Sequence, residues 1–277
     1  MTTRRLKQLG GQVGLGFSVL VLISPALLFF FWMLSLSLKT EAENVAYPPI
    51  FIPSTLTLDN FRDVFAKNDF VTYTINSIIV SFSATGLALL VGVPAGYGIA
   101  KARASASAAL ILIARITPGL SFLVPLFLLF QWLDLTGTLL PIVITHLVIT
   151  VPIVVYVMIG FFEGLPGELE EAALVDGATI WQAFRSVALP LARPGITVAT
   201  ILSFIFSWNN FVFAVVLAGR TTRTLPVAVY NSLTFEQISW GPLAAAALLV
   251  TAPVLLLTLL MQREIVAGLT AGGVKGG

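Results

Sequence analysis

The sequence predicts an all-α membrane protein that crosses the bilayer with six helices. Three observations carry this. First, 57% of the 277 residues are hydrophobic and 10% are charged, with a mean hydropathy of +0.98; a soluble domain needs about 25% charged residues to face water. Second, the charges are segregated. None falls between Lys7 and Lys39, Asp69 and Lys101, Asp134 and Glu163, Arg193 and Arg220, or Glu236 and Arg263, and a sixth block from about Ser105 to Trp132 holds only Arg115. Each block is long enough to cross a bilayer, which takes roughly 20 residues of helix. Third, the blocks are continuous rather than alternating, which favours helices over a barrel.

Taken in order, the first block runs from Val13 to Leu38. It is too long for the core of a signal peptide and no A-x-A-like cleavage site follows, so Arg4, Arg5 and Lys7 read as an anchor. In the second block Gly92, Gly96 and Gly98 form a small-residue seam suited to helix packing. The third carries Arg115 and is expected to break at Pro118-Gly119 and to kink again at Pro125. The fourth ends at Phe162 with His146 in its middle, most simply a neutral histidine satisfied by a neighbouring helix. The fifth begins near Pro194 and the sixth ends before Arg263. With the N-terminus inside, the inner segments hold nine Lys and Arg and the outer loops five, the bias expected of a cytoplasmic side. The expected organisation is a cytoplasmic N-terminus over 1–12, a six-span domain over 13–262 and a cytoplasmic tail over 263–277. Outer stretches at 39–70 and 218–242 are longer than simple turns.

The long inner loop is the most informative segment. After Pro166, Glu168, Glu170 and Glu171 suit the positive end of a helix dipole. Asp176-Gly177 would stop that helix, with glycine supplying a left-handed position. Thr179 and Gln182 have the spacing of a capping box for a second helix, which Leu189-Pro190 would end before Pro194-Gly195 launches the next span. Leu169, Ala172, Ala173, Leu174, Val175, Ile180, Phe184 and Val187 give the pair more apolar area than it can hide. Spacing alone leaves two readings open: a connector lying on the protein's own helices, or a docking knob for another subunit.

Glu171-Ala172-Ala173, Asp176-Gly177-Ala178, Phe184 and Leu189-Pro190-Leu191 through Pro194-Gly195 resemble the EAA loop of binding-protein-dependent ABC importer permeases. Gly177 stands four residues beyond Ala173, as that motif requires. Ser35–Lys39, Leu58–Phe61, Asn76-Ser77, Ile116–Gly119, Phe204–Phe211 and the ending Gly268–Gly276 are similar to the maltose-type, carbohydrate permeases, and the layout is similar to the smaller, MalG-like permease of a pair. The resemblance implies a type I ABC importer permease fold in a bacterial inner membrane, with 163–195 as the coupling loop. It implies a second homologous permease, two copies of a cytoplasmic ATPase that binds ATP and Mg, and an extracytoplasmic binding protein that delivers a sugar. On the matching positions, Glu171 would contact the ATPase, Ala172 and Ala173 would allow close approach, and Gly177 would set the turn. Asp176, Ala178, Phe184, Leu189 and Pro190 complete the coupling set.

No phosphate-binding loop occurs in the chain, so nucleotide hydrolysis is expected of another subunit and no cofactor of this one. Cysteine is absent and histidine occurs once, which excludes disulfides, thiol chemistry and a His-cluster metal site. The basic residues are scattered rather than patched, against nucleic acid. An ion-coupled secondary transporter would want carboxylates in its spans, and the five uncharged blocks have none. Polar residues within the spans mark a possible substrate pathway: Asn76, Trp208, Asn209 and Asn210, an aromatic plane beside amides that suits a sugar. Helix-bridging by Asn209 and Asn210 is the competing reading. Polyols, acidic or sulfonated sugars and glycerol phosphate are alternative cargoes; Arg115 leans only slightly toward an anion.

Overall fold

The computed structural model describes residues 2–67, 69–231 and 239–273, with side chains described over 14–66, 69–230 and 239–262. The last four residues of the glycine-rich ending and the middle of the outer stretch 218–242 lie outside the described residues. Among those described there is helix and no strand.

Among the described residues, four helices are long and apolar enough to cross a membrane. They lie in α1 (Thr2–Ser37), α4 (Phe70–Ala102), α7 (Leu139–Glu163) and α14 (Trp240–Gly273), while α2 (Glu41–Asn44) and α3 (Asp59–Lys67) are short helices between the first two. Each of the four carries an interior proline, Pro25, Pro94, Pro152 or Pro253, which membrane helices tolerate because neighbouring groups re-satisfy the freed carbonyl. The count rises to six when two bent pairs are each taken as a span.

The third block is α5 (Ser105–Ile116) and α6 (Leu123–Trp132), joined by a 3-10 turn at Gly119–Phe122 and bent by 86°. The expected break at Pro118-Gly119 is present. The expected kink at Pro125 is not, because Pro125 falls in the first turn of α6, where a missing N–H costs nothing. After the loop helices α8 (Gly167–Val175), α9 (Ile180–Ala183) and α10 (Leu189–Leu191), the fifth block is divided as well. Its helix α11 (Arg193–Trp208) has 16 residues, about 24 Å at 1.5 Å per residue and short of the ~30 Å apolar core. The chain breaks at Asn209–Phe211 and resumes as α12 (Val212–Leu217) and α13 (Leu225–Asn231).

The residues divide into two compact units, 1–68 with 231–249, and 69–230 with 250–277. In the first, the segment after α1 is ordered by polar bonds. Asn60 Nδ2 donates to the carbonyls of Ser37 (2.9 Å) and Lys39 (2.7 Å). The Glu41 carboxylate accepts from the N–H groups of Trp240 (3.0 Å) and Gly241 (3.2 Å), capping α14. Lys39 is buried, donates to the Ile50 carbonyl at 2.6 Å and lies over the Trp32 ring. Burial holds its pKa below the usual lysine value, with Glu43 offsetting part of the shift.

In the second unit α4, α7 and α11 form the core. A Cβ placed on Gly92 would meet Val154 at 2.7 Å, and one on Gly96 would meet Met158 Cβ at 2.7 Å. The same four-residue step on both helices means that α4 and α7 run in the same direction, at closest approach along this seam. Gly98, expected to extend the seam, faces open space. His146 on α7 is level with Ser207 on α11, whereas Phe161 is level with Gly195, so α11 runs opposite to α7.

Candidate functional site in the loop between the fourth and fifth spans

The loop after α7 folds as its sequence directs. Pro166, in an extended conformation, precedes α8, and Glu168 and Glu170 fall in its first turn. The helix closes through Gly177 N–H to the Leu174 carbonyl and Ala178 N–H to the Ala173 carbonyl, with Gly177 at φ +90°. A side chain at that φ is strained whatever the space around it. The capping box forms in both directions: Thr179 N–H donates to Gln182 Oε1 (2.7 Å), and Gln182 N–H donates to Thr179 Oγ1 (3.3 Å). The helix does not end at Leu189-Pro190. Phe184–Ala188 forms a π-helical turn in which Leu189 N–H reaches the Phe184 carbonyl, and the run continues through α10 to a 74° bend into α11. The wide turn shifts the carbonyl register by one residue, so Pro190 enters at the start of a new turn, where its missing N–H is tolerated.

Two faces result. Inward, Phe184, Ala188 and Ala192 are buried in a cluster with Tyr97, Met158 and Phe162. The Tyr97 ring lies 4.7 Å from Phe184 and 5.3 Å from Phe162 between centroids, and the Trp181 ring lies tilted against Phe184 at 5.1 Å. Outward, Val175 is 87% exposed, Ile180 66% and Trp181 62%, with Leu169 also exposed. Of the expected coupling residues, Glu171, Ala172, Asp176, Gly177 and Pro190 are exposed, Ala173, Ala178 and Leu189 are half-buried, and Phe184 is buried.

Sequence reasoning missed a polar contact under this surface. Glu170 is 7% exposed, and its Oε2 accepts from the Tyr97 hydroxyl at 2.9 Å and lies 3.0 Å from Lys101 Nζ. Tyr97 and Lys101 stand one turn apart on α4 and share a face, a signal readable in the sequence once their partner is known. Beside them a cavity of about 660 Å³ is lined by Arg103, Glu163 and Glu171 as well.

The four expected pathway residues do not form one site. Asn76 is buried and its amide donates to the carbonyls of Thr221 and Arg223, both at 2.9 Å, holding the chain between α12 and α13. Trp208 is buried, stacked on Phe204, and donates from Nε1 to the Val250 carbonyl at 3.0 Å. Asn209 and Asn210 do come together, at the break after α11. They line a cavity of about 400 Å³ with Ile149, Phe206 and Phe211, although Asn210 Oδ1 also accepts the Phe213 N–H to start α12. A neighbouring cavity of about 420 Å³ shares Ile149 and Phe206 and contains Arg115, whose guanidinium lies 4.8 Å above the Tyr156 ring. His146 Nδ1 is 2.8 Å from Ser207 Oγ. The buried atoms without a partner among the described residues include His146 Nε2, Thr85 Oγ1 and Ser203 Oγ.

Comparison with known proteins adds what geometry cannot. Residues 88–269 match the family described as binding-protein-dependent transport system inner membrane component. The trehalose transport system permease protein SugB of Mycobacterium tuberculosis is 38% identical over 263 residues, covering 92% of this chain and 95% of that one. The sulfoquinovosyl glycerol transport system permease protein SmoH of Agrobacterium fabrum is 33% identical, covering 88% and 87%. Among solved structures, a chain of a bacterial ABC transporter involved in importing the acidic polysaccharide alginate superposes with a TM-score of 0.72. At 22% identity over 95% of this chain and 98% of that one, this is a likeness of fold.

Proposed function

The chain belongs to the family of binding-protein-dependent transport system inner membrane components, and we propose that it is the sugar-translocating permease of an ATP-driven ABC importer. It would pair with a second, homologous permease and with two copies of a cytoplasmic ATPase, and an extracytoplasmic binding protein would hand over the substrate. The observation that carries the coupling role is the outward face of the loop: Val175, Ile180 and Trp181 stand exposed on a helix pair whose opposite side is packed into the core. Leaving so much apolar surface in water is unfavourable, and a cleft in another subunit would cover it.

In this reading the loop and both termini are cytoplasmic, in agreement with the distribution of Lys and Arg. ATP-driven closure of the ATPase pair would displace the loop, and the rigid helices beyond it would rock to switch the cavity from inward to outward. Glu171, beside Ala172 and Ala173, offers an exposed carboxylate to the ATPase; Asp176, Gly177 and Ala178 set the turn; Leu189 and Pro190 carry the chain back to the bilayer. Asn209 and Asn210, at a break in a spanning helix, are the pathway residues, since broken helices often flank translocation sites. A sugar is favoured by the relatives, which include a trehalose permease. An acidic or sulfonated sugar is the second reading, supported by Arg115 in the adjoining cavity, where its charge is already engaged by Tyr156.

The test is co-expression with neighbouring genes and native mass spectrometry in mild detergent. One copy of this chain with one different permease and two ATPases is expected, and binding-protein-stimulated ATP hydrolysis is then screened against trehalose, other disaccharides and acidic sugars. Recovery as a lone chain or homodimer, with no ATPase, would overturn the reading.

A further inference from the structure

Helix α8 is connected to the rest of its unit in an unusual way. Leu169, Leu174 and Val175 are exposed, and none of its side chains joins the apolar cluster that anchors the π-helical turn and α10. Its one buried side chain is Glu170. A carboxylate is an expensive group to bury unless it is paired and hydrogen-bonded, and here one oxygen takes both the Tyr97 hydroxyl and the Lys101 ammonium. Both partners come from the last two turns of α4, so the polar contact joins the loop directly to a membrane-spanning helix other than the two it connects in sequence. Tyr97 is in turn fixed by Phe162 at the end of α7 and by Phe184 in the π-helical turn.

We infer that Glu170 is a positioning residue for transport, tying α8 to α4 through Tyr97 and Lys101 so that displacement of the loop moves α4 with α7. The inference rests on the loop's proposed coupling role and extends it. Without the tie, α8 would still present its exposed face to an ATPase, but its movement would reach α4 only indirectly, through the chain links at Gly164–Pro166 and Asp176–Thr179 and through the π-helical turn beside it. Binding and transmission would then separate. Lys101 is well suited to the task because its ammonium reaches Glu170 while 42% of its side chain remains in solvent, so its charge can be changed without opening the core.

The experiment uses the assembled importer in liposomes, with Glu170→Lys, Lys101→Glu and the double exchange, measuring ATPase retention, binding-protein-stimulated hydrolysis and substrate imported per ATP. Each single reversal is expected to retain the ATPase and its basal hydrolysis. Import per ATP should fall about tenfold or more, as when one charge of a buried pair is left unpaired, and the exchange should recover most of it. Unaltered coupling in both single variants overturns the inference, as does an exchange no better than either single. If Glu170→Lys fails to accumulate, Lys101→Gln carries the test: the same loss supports the tie and unchanged coupling refutes it. A wild-type complex without stimulated hydrolysis would instead bring down the reading of the loop, whereas stimulated wild type beside unaffected variants brings down only the tie.

Discussion

Gly96 shows how much one hydrogen atom decides in this protein. A methyl group there would stand 2.7 Å from Met158 Cβ and 3.2 Å from the Val155 carbonyl, atoms that cannot swing aside as the tip of a flexible side chain would. Two residues on, Gly98 has nothing within 4 Å. The same substitution therefore has opposite consequences. Gly96→Ala is expected to destabilise the chain by about 1–3 kcal/mol through overpacking, read as a lower melting temperature in detergent by size-exclusion chromatography. Gly98→Ala should be neutral, or stabilising by up to about 1 kcal/mol from helix propensity. Equal effects at the two positions would mean that α4 does not approach α7 along this seam. The same contrast separates polar residues. Asn76 and Trp208 look functional in the sequence because polar atoms in a span are costly, yet each is occupied in holding backbone carbonyls. Asn209 and Asn210 also bond backbone, Asn209 Nδ2 donating to the Ile205 carbonyl and Asn210 Oδ1 accepting the Phe213 N–H, but these two line a cavity as well.

At the scale of elements, the loop helices present a surface whose energy is readable. Val175→Asp with Ile180→Asp replaces two exposed apolar side chains by charges and leaves the Trp181–Phe184 ring contact and the capping-box side chains in place. Loss of a central apolar anchor in an interface costs at least about 2 kcal/mol, so the ATPase is expected to fall away from the purified complex while the chain still inserts and folds. Retained ATPase would move the docking face elsewhere. Most of this element was legible in advance: the turn at Gly177 and the capping box at Thr179 and Gln182 are local chemistry, and both are as the spacing demands. The long spans were legible because charge-free blocks have few other uses. What could not be read locally was the break at Asn209–Phe211, which looks like part of an unbroken apolar block, and the passage of the helix through Pro190, which depends on a π-helical turn five residues long. Least legible was Glu170. Its acidic neighbours make it look like one more charge at a helix N-terminus, and its partners lie 73 and 69 residues away, brought near only by the packing of α4 against α7.

For the molecule as a whole, the proposed mechanism requires a direction: the coupling loop must face the compartment that holds ATP, and the segment after α1 must face the other. The positive charge is distributed accordingly, nine Lys and Arg against five. The absence of cysteine makes a direct test simple, since any thiol introduced is the only one in the chain. Tyr47, after α2, is 96% exposed and Val175, at the end of α8, is 87% exposed, so a cysteine at either position is open to reagent. Three crossings of the bilayer, an odd number, separate them in the six-span arrangement: α4, then the bent α5–α6 pair, then α7. A membrane-impermeant maleimide is therefore expected to label Tyr47→Cys and spare Val175→Cys in intact spheroplasts, with the pattern reversed in inside-out vesicles. Adding the ATPase to those vesicles should then protect Val175→Cys while leaving Tyr47→Cys inaccessible. Labelling of both positions from the same side would remove one of the three intervening crossings, and the bent α5–α6 pair would then be a re-entrant loop. Labelling of Val175→Cys alone in spheroplasts would keep six spans but invert them, placing the loop where no ATPase could reach it.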